Sequence, residues 1–419
     1  MPASGSTVER AAQMQDITEL DLYFLDWNAP GFAANPWPEF EKARERHPWL
    51  ARTDQGYAVF DLRAIRELMV RDDSLRPSFD GIVDIMECRG SPWGRFAEEQ
   101  MIALPDREHR FLRDTFARKF TPRYANQLRP IMRETMERLL ADWAPREKID
   151  FEEFASYYPI AVTAQMVGAP LSVIPGLRKS METMGLAFSM DKTRVPDLDA
   201  AFEHLDAFAH DLLAKRRAEP REGADADLLD MLIEAGAQGN VSDRQLADLI
   251  IFLFVAGYDT SKNVLTYMMH LMIENPSIYE RCAKDLEYCR RVVEETLRVF
   301  NPSSAFRATT SDIEYRDVRI PAGTMLFFNL NVAGHDASLF ADPDRFDPDR
   351  PIVAENRHVA FGMGKHMCLG QYIARAQLQE GIHLVAQHMR APHADGEPGW
   401  RPFPGVWGIK GLPIEFTPA

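Results

Sequence analysis

The chain has 419 residues, of which 46% are hydrophobic and 26% are charged, so it is long enough to bury a large core. A formal net charge of -15 argues against nucleic acid as a partner, because nucleic-acid binding selects for basic surfaces. The four cysteines include no CxxC pair and do not suggest a disulfide framework, which favours a reducing compartment.

The N-terminal segment shows no targeting signal. Residues 1–15 contain no apolar stretch of signal or anchor length, and no later segment reaches roughly 18 uninterrupted apolar residues. We therefore expect a soluble, cytoplasmic protein that does not enter a membrane. Residues 1–20 are predicted to form a mobile tail, and residues 21–419 a single domain.

Short strands are predicted at residues 56–61 and, between residues 313 and 330, on both sides of a turn at Pro321-Ala322-Gly323. Segments 129–143 and 197–219 repeat apolar residues at three and four positions, which predicts amphipathic helices. No linker or internal repeat divides the chain. The expected fold class is therefore mainly α, with a minor β component.

The segment from Asp106 to Arg113 predicts the start of another amphipathic helix. His109 and Arg113 lie four residues apart and share one face of this helix. Without further context, this pattern is also typical of a solvated basic surface.

The longest helix is predicted to begin at Ser242. Ser242 and Gln245 match a capping box, and no proline follows before Asn275-Pro276, a length on the order of 50 Å. Residues 249–257 are apolar on every face, so we expect the helix to be buried throughout.

A polar interruption follows in this helix, at Asp259 and Thr260. An aspartate in a buried helix requires a specific partner or role, and Gly257 allows the helix to loosen locally. The alternative for Thr260 is a hydrogen bond from its hydroxyl to its own helix.

The most informative segment is 361–370, which precedes a predicted helix over 371–388. Cys368 lies where backbone N–H groups and the helix dipole favour a thiolate. Gly364 and Gly370 allow a sharp turn and the close approach of a flat cofactor. The alternatives are a buried free cysteine and, more weakly, a zinc site with His366 as a second ligand.

This segment resembles the haem-binding loop of the cytochrome P-450 family of haem-thiolate monooxygenases. The family pattern Phe-x-x-Gly-x-[Arg/His]-x-Cys-x-Gly is present at every fixed position. The resemblance implies haem b as the cofactor and Cys368 as the metal ligand, a thiolate that pushes electron density into the iron. It also implies haem contacts from Phe361, Gly362, His366 and Gly370.

Three further segments resemble the same family in the same order. Residues 256–261 resemble its oxygen-activation motif, which implies that Ala256 lies beside the haem and that Asp259 and Thr260 are catalytic, with Ser261 where a second Thr is common. The resemblance implies haem-propionate donors at His109, Arg113, Arg307 and His366. It implies a structural brace formed by Glu295, Arg298 and Arg345.

The resemblance implies the single-domain cytochrome P-450 fold with a small β-rich lobe, and insertion of one atom of O2 into the substrate. About fifty residues follow Cys368, so no fused reductase is expected. Electrons would come from NAD(P)H through a ferredoxin reductase and an iron-sulfur ferredoxin to a monomeric enzyme. An acidic ferredoxin would dock on basic residues near the cysteine, namely Arg107, Arg110, Arg113, Arg118, Lys119 and Lys365.

The substrate is predicted to be an apolar small molecule. Candidate pocket segments are rich in Met, Phe, Trp and small residues: 79–102, 184–190, Ala256, 303–306 and 406–407. We expect a terpenoid, alkyl-aromatic or steroid-like compound rather than a fatty acid, although Arg89 and Arg95 could bind a carboxylate. The alternatives to a monooxygenase are an H2O2-driven peroxygenase and a haem-thiolate sensor or carrier without turnover.

Overall fold

The structure, a computed structural model, describes residues 14–117, 119–223, 226–238 and 241–419. Helices make up 56% of it, which confirms the mainly α class. The helices are α1 (Trp37–Arg46), α2 (Leu62–Leu68), α3 (Phe79–Ile85), α4 (Pro92–Glu99), α5 (Asp106–Ala117), α6 (Pro122–Trp143), α7 (Phe151–Met166), α8 (Ile174–Met184), α9 (Val195–Ala218), α10 (Leu228–Ala237), α11 (Asp243–Glu274), α12 (Pro276–Lys284), α13 (Leu286–Val299) and α14 (Gln371–His388).

In the described part of the chain, the strands are short and form four small sheets. They are β1 (Gln15–Asp16), β2 (Leu50–Thr53), β3 (Gly56–Val59), β4 (Leu75–Arg76), β5 (Lys148–Asp150), β6 (Ala305–Thr309), β7 (Ile313–Tyr315), β8 (Val318–Ile320), β9 (Met325–Phe328), β10 (Met389–Ala394), β11 (Gly399–Trp400), β12 (Ile409–Lys410) and β13 (Pro413–Pro418). The largest sheet has the order β2-β3-β9-β6-β4, in which only the β3–β9 pair is parallel. The strands predicted within 56–61 and 313–330 are confirmed as β3 and as β7, β8 and β9.

Helix α11 is the central element and packs against α7, α9 and α14. Its capping box is present: the N–H of Gln245 donates to Oγ of Ser242 at 3.3 Å, and the N–H of Ser242 donates to Oε1 of Gln245 at 3.0 Å. The expected burial on every face is only partly correct. Residues 252, 253, 255, 257 and 260 are half-buried and residue 256 is exposed, because this side of the helix borders an interior cavity.

Two hydrophobic cores hold the chain together. The larger lies among the helices, and the smaller lies in the β-rich lobe, where Trp49, Val59 and Phe328 are fully buried. At roughly 25 cal/mol per Å² of apolar surface removed from water, such burial supplies most of the folding free energy.

The packed part of the chain begins earlier than the predicted boundary at residue 21. Gln15 and Asp16 form β1, which pairs in parallel with Val318 and Arg319 of β8, and Ile17 is buried in the smaller core. Residues 1–13 of the predicted tail lie outside the described part of the chain. Sequence alone did not predict this strand, because two polar residues, Gln15 and Asp16, followed by the single apolar residue Ile17 do not form a recognisable strand pattern.

A buried brace joins α13 to the segment that leads to the cysteine loop. Arg298 donates to Glu295 from Nε at 2.9 Å and from Nη2 at 2.7 Å, as predicted. The prediction that Arg345 completes the brace is wrong: its side chain is 69% exposed, and only its backbone carbonyl accepts a hydrogen bond from Arg298. The third member is Arg350, whose Nε lies 3.3 Å from Oε1 of Glu295.

Replacement of Arg298 by methionine is expected to lower the free energy of unfolding by about 3–5 kcal/mol, because it leaves the buried Glu295 carboxylate without its main partner. Urea-induced unfolding followed by circular dichroism measures this change. The matched control is Arg345→Met, which should change the free energy of unfolding by less than about 0.5 kcal/mol. Equal effects of the two substitutions would contradict the corrected brace.

Candidate active site

An interior cavity of about 430 Å³ lies between α11 and the loop that contains Cys368. Its lining brings together parts of the chain more than 100 residues apart in sequence. The predicted site residues that line it are Ala256, Asp259, Thr260, Arg307, Phe361, Gly362, His366, Cys368 and Gly370. His109 and Arg113 are outside this lining but lie directly behind it.

The cysteine loop is held by tight backbone turns. The N–H of Cys368 donates to the carbonyl of Phe361 at 2.8 Å. Gly362 and Gly364 have φ values of 66° and 71°, in the left-handed region that favours glycine. At Gly370, φ is -74°, so the predicted sharp turn is not needed there. The loop therefore presents the Cys368 side chain to the cavity, just before α14 begins.

Cys368 lines the cavity, and its side chain is exposed to that open space. Burial raises the pKa of the Cys368 thiol, whereas the N–H groups of Gly370 and Gln371 and the charges of Arg113 and Arg375 act in the opposite direction. The N–H groups and the positive end of α14 can therefore stabilise a thiolate that gains a cationic partner.

Four basic side chains cluster beside the loop. The rings of His109 and His366 stack with centroids 4.2 Å apart, and Arg113 donates to the carbonyl of Met367. Burial lowers the pKa of Arg307 to about 10. Burial also lowers the pKa of His366 to about 3, with further lowering from Arg307, His109 and Arg113.

Asp72 and Asp106 lie near this cluster, but within the described residues no carboxylate forms an ion pair with Arg113 or Arg307. The Arg307 guanidinium donates only to the carbonyl of Phe306 there, and Nε2 of His109 and Nδ1 of His366 have no hydrogen-bond partner. Buried cations without a counter-charge are costly, so the cluster is suited to a ligand carrying carboxylates. Haem has two propionates, and the accessible Cys368 sulfur lies beside the same cavity, so the residues present fit haem.

The zinc alternative finds no support in this geometry. Across the described ranges, no group of three or more His, Cys, Asp or Glu side chains is arranged to hold a metal ion. His366 is stacked on His109 rather than placed as a second ligand beside a further donor.

On α11, the Thr260 hydroxyl donates to the carbonyl of Ala256 at 3.0 Å. This is the hydrogen bond that the sequence left open as an alternative. The same hydroxyl borders the cavity, and its oxygen lone pairs can still accept a hydrogen bond from a molecule there. Helix α11 is continuous through Gly257, so the local loosening of the helix that was expected at this residue is not observed.

One oxygen of the Asp259 carboxylate is bound by two cations. Arg401 donates to its Oδ1, and Nζ of Lys262 lies 3.1 Å from the same atom. Burial acts to raise the pKa of Asp259, but Lys262 and Arg401 outweigh it and hold the pKa below its ordinary value. Sequence reasoning missed both cations. Lys262 could have been noticed as a lysine in a buried helix, whereas Arg401 is 142 positions away from Asp259 and carries no local signal.

The roof of the cavity is aromatic. Phe79, Phe188 and Phe306 form a cluster whose ring centroids lie 4.9–5.8 Å apart. They come from three of the segments predicted to line the pocket.

No helix in the described ranges meets the length and hydrophobicity needed to cross a membrane.

Comparison with known proteins identifies the family. The family model described as Cytochrome P450 matches residues 180–405. Luteothin monooxygenase of Streptomyces thioluteus is 33% identical over 404 residues, which cover 95% of this chain and 97% of that protein. Mycinamicin IV hydroxylase/epoxidase of Micromonospora griseorubida is 29% identical over 297 residues, which cover 69% and 72%.

Solved structures show the same fold. An epothilone D-bound cytochrome P-450 superposes with a TM-score of 0.83 at 22% identity, covering 93% of this chain and 98% of that one. A tirandamycin C-bound monooxygenase gives a TM-score of 0.81 at 22% identity, covering 94% and 100%. With the cavity, the exposed sulfur and the basic cluster, these matches show that the chain belongs to the cytochrome P-450 family of haem-dependent monooxygenases, for which O2 is the co-substrate.

Proposed function

We propose that this enzyme inserts one oxygen atom into an apolar small molecule of terpenoid, alkyl-aromatic or steroid-like type. Electrons are supplied from NAD(P)H through a ferredoxin reductase and a ferredoxin. The observation that carries the substrate class is the aromatic, aliphatic and thioether wall of the cavity, part of whose volume the haem would fill. Such a wall binds ligands mainly by removing apolar surface from water.

Methionines make part of this wall adaptable. Met69, Met166, Met184 and Met190 border the cavity together with the Phe79–Phe188–Phe306 cluster. Unbranched methionine side chains can repack around ligands of different outline, while the aromatic rings favour flat or cyclic ones. The relatives are named for luteothin and mycinamicin IV, so family membership does not select a single substrate.

The two arginines considered for binding a carboxylate are already paired. Arg95 binds Asp248 at 2.9 and 3.0 Å, and Arg89 binds Asp84 and Glu98. Since neither offers a free cation, the structure supports a neutral substrate rather than a fatty acid anion.

A polar contact for the substrate is available on β6 and β9. Ala305 pairs with Phe328, which places Ser304 opposite Asn329 where the two strands end. The Ser304 hydroxyl and the Asn329 amide are buried, line the cavity and have no hydrogen-bond partner in the described part of the protein. A substrate carbonyl oxygen would accept hydrogen bonds from the Ser304 hydroxyl and the Asn329 NH2 group, and a substrate hydroxyl would also be able to donate to Oδ1 of Asn329.

When bound, haem supplies the site at which O2 is activated. We assign Cys368 as its thiolate ligand and His109, Arg113, Arg307 and His366 as the groups that hold the propionates. Phe361, Gly362, Gly370 and Ala256 border the cavity where the ring would contact protein. Thr260 holds a proton or a water at its Oγ1, and Asp259 connects that position to the charged groups behind it.

The test is a screen for the change of haem absorption from low spin to high spin, which reports a ligand seated over the iron. Suitable probes are β-ionone, naphthalene and progesterone, with myristic acid as the anionic comparison. We expect saturable shifts with neutral probes and products on addition of NADPH, ferredoxin and reductase. Turnover on H2O2 alone that is insensitive to Thr260→Ala would contradict the proposal, as would ligand binding without any turnover.

The docking face proposed for ferredoxin surrounds the cysteine loop. Arg107 and Arg110 lie on α5, where Lys365 of the loop binds Asp106 at 2.6 Å. The exposed apolar side chains Phe111 and Met367 lie on the same two segments, as the apolar centre of an interface would. The predicted contributor Arg118 lies outside the described residues.

Charge reversal at Arg107 and Arg110 is expected to raise the apparent KM for ferredoxin by about fivefold or more at low salt, and less at high salt. The kcat at saturating ferredoxin should stay near the wild-type value. Steady-state NADPH oxidation at varied ferredoxin measures both quantities, with Lys215→Glu on α9 as the control. An unchanged KM would remove this docking face.

A further inference from the structure

Lys262 is a fully buried lysine one turn beyond Asp259 on α11, with a side chain 0% exposed. Its Nζ lies 2.6 Å from Oε1 of Glu152 on α7 and 3.1 Å from Oδ1 of Asp259. A buried ammonium group is costly unless it is paired, and two carboxylates balance it here. Asp259 is proposed to take part in oxygen activation, but that role does not by itself explain why a lysine is buried beside it.

The charged groups around Lys262 continue to the protein surface. Oε2 of Glu152 lies 3.4 Å from Nζ of Lys410, whose side chain is 50% exposed and also binds Glu182. Among the described residues, the ionisable groups around Lys262 are Tyr258 and Asp259 on α11, Glu152 on α7, Arg178 and Glu182 on α8, and Arg401 and Lys410 near the C-terminus. A series of ion pairs therefore connects solvent at Lys410 with the cavity at Asp259.

The inner end of this series is incompletely bonded. Oδ2 of Asp259 and Nη2 of Arg401 have no hydrogen-bond partner among the described residues, and both are buried. Gly185 packs directly onto the carboxylate, since a Cβ there would lie only 1.7 Å from Oδ2. One oxygen of the Asp259 carboxylate is thus held by cations. The other is free to accept a hydrogen bond from a water or from the Thr260 hydroxyl.

We propose that Lys262 is a positioning residue of the oxygen-activating site, which anchors Asp259 beside Arg401 and links it through Glu152 to Lys410, so that protons enter from the α7–α8 side. The proposal deepens the role given to Asp259 and rests on the monooxygenase activity of the family. It differs from a purely structural role because it ties Lys262 to proton supply at one atom of Asp259.

Proton supply has a measurable signature in this reaction. In productive turnover, O2, two electrons from NADPH and two protons place one oxygen atom in the product and release the other as water. If the protons are not directed to the oxygen atom that leaves as water, the same two electrons and two protons leave with both oxygen atoms as H2O2. The amount of H2O2 released per NADPH consumed therefore reports proton delivery.

The experiment uses the holoenzyme with a [2Fe–2S] ferredoxin, its NADPH-dependent reductase and β-ionone as the probe. Lys262→Met and Glu152→Gln are each expected to raise H2O2 released per NADPH by about two- to thirtyfold. Both substitutions should also change the solvent isotope effect, which is the ratio of the turnover rate in H2O to that in D2O. The matched control is Arg216→Met, which removes another buried cation; Arg216 pairs with Asp227 and Asp230 and is not a member of the ion-pair series from Lys410 to Asp259. A Lys262→Met protein with wild-type values for both quantities overturns the proposal.

A second measurement needs neither electrons nor substrate, so it remains valid if the proposed electron donors or substrate class are wrong. The infrared band of protonated carboxyl groups is titrated from about pH 9 to about pH 5. Without Lys262, the Asp259 carboxyl should take up a proton within this range, and the band should vanish in Lys262→Met/Asp259→Asn. The proposal is contradicted if the band never appears in Lys262→Met, or if it persists in the double variant. Either result shows that Lys262 does not control protonation of the Asp259 carboxyl.

Discussion

Replacement of Cys368 by alanine is expected to abolish the thiolate-type spectrum of the reduced carbon monoxide complex and to lower product formation by at least about a thousandfold. A thiolate ligand favours O–O cleavage by donating electron density to the iron, and alanine offers no ligand atom. A thousandfold loss corresponds to about 4 kcal/mol in the activation free energy. The fold should persist, because the hydrogen bond to Phe361 uses the Cys368 backbone.

The matched control for this substitution is Cys282→Ala, which removes a fully buried thiol on α12. It should retain the spectrum and the activity, with at most a modest loss of stability from the small cavity. A Cys368→Ala protein that kept the thiolate-type spectrum would refute the assignment of the ligand.

Substitution of Thr260 by alanine is expected to lower product formed per NADPH by about tenfold to about a hundredfold and to raise H2O2 correspondingly. The hydroxyl borders the cavity and is placed to hold a water that relays the protons consumed in the reaction. Thr260→Ser should recover most of the product yield, since it restores the hydroxyl. Simultaneous measurement of NADPH, H2O2 and product distinguishes uncoupling from slow turnover.

Thr266→Ala is the control that tests the structural alternative. Thr266 lies on the same helix and donates to the carbonyl of Lys262 at 2.9 Å, the same type of bond that Thr260 makes to Ala256. If Thr260 served only to bond its own helix, the two alanine variants would behave alike. We expect Thr266→Ala to leave the product yield unchanged.

Local spacing predicted much of this molecule correctly. The capping box at Ser242 located the start of α11, and the residues after Cys368 predicted α14 to its observed limits. These features depend on residues three to four positions apart, which interact within a single helix. The fixed positions of the cysteine loop similarly lie within ten residues of each other.

Long-range partners were the features that sequence reasoning missed. The brace was assigned to Arg345, but the chain turns so that Arg350 reaches Glu295 and Arg345 points to solvent. Arg345 and Arg350 are five residues apart in a segment without regular structure, so spacing along the chain does not show which of them binds Glu295. The tail boundary was misplaced for a related reason, since β1 is formed only by pairing with β8, about 300 residues later.

Cys368 and the family to which it points were accessible from residues close together in the chain, because a haem-binding loop is a local structure. The charge state of the opposite wall depends on contacts between distant segments. Asp259 is ionised and turned toward Arg401 and Lys262 because the fold brings the C-terminal segment and α7 against α11. Electrostatic free energy depends on distance in space and on burial, and neither can be read from separation along the chain.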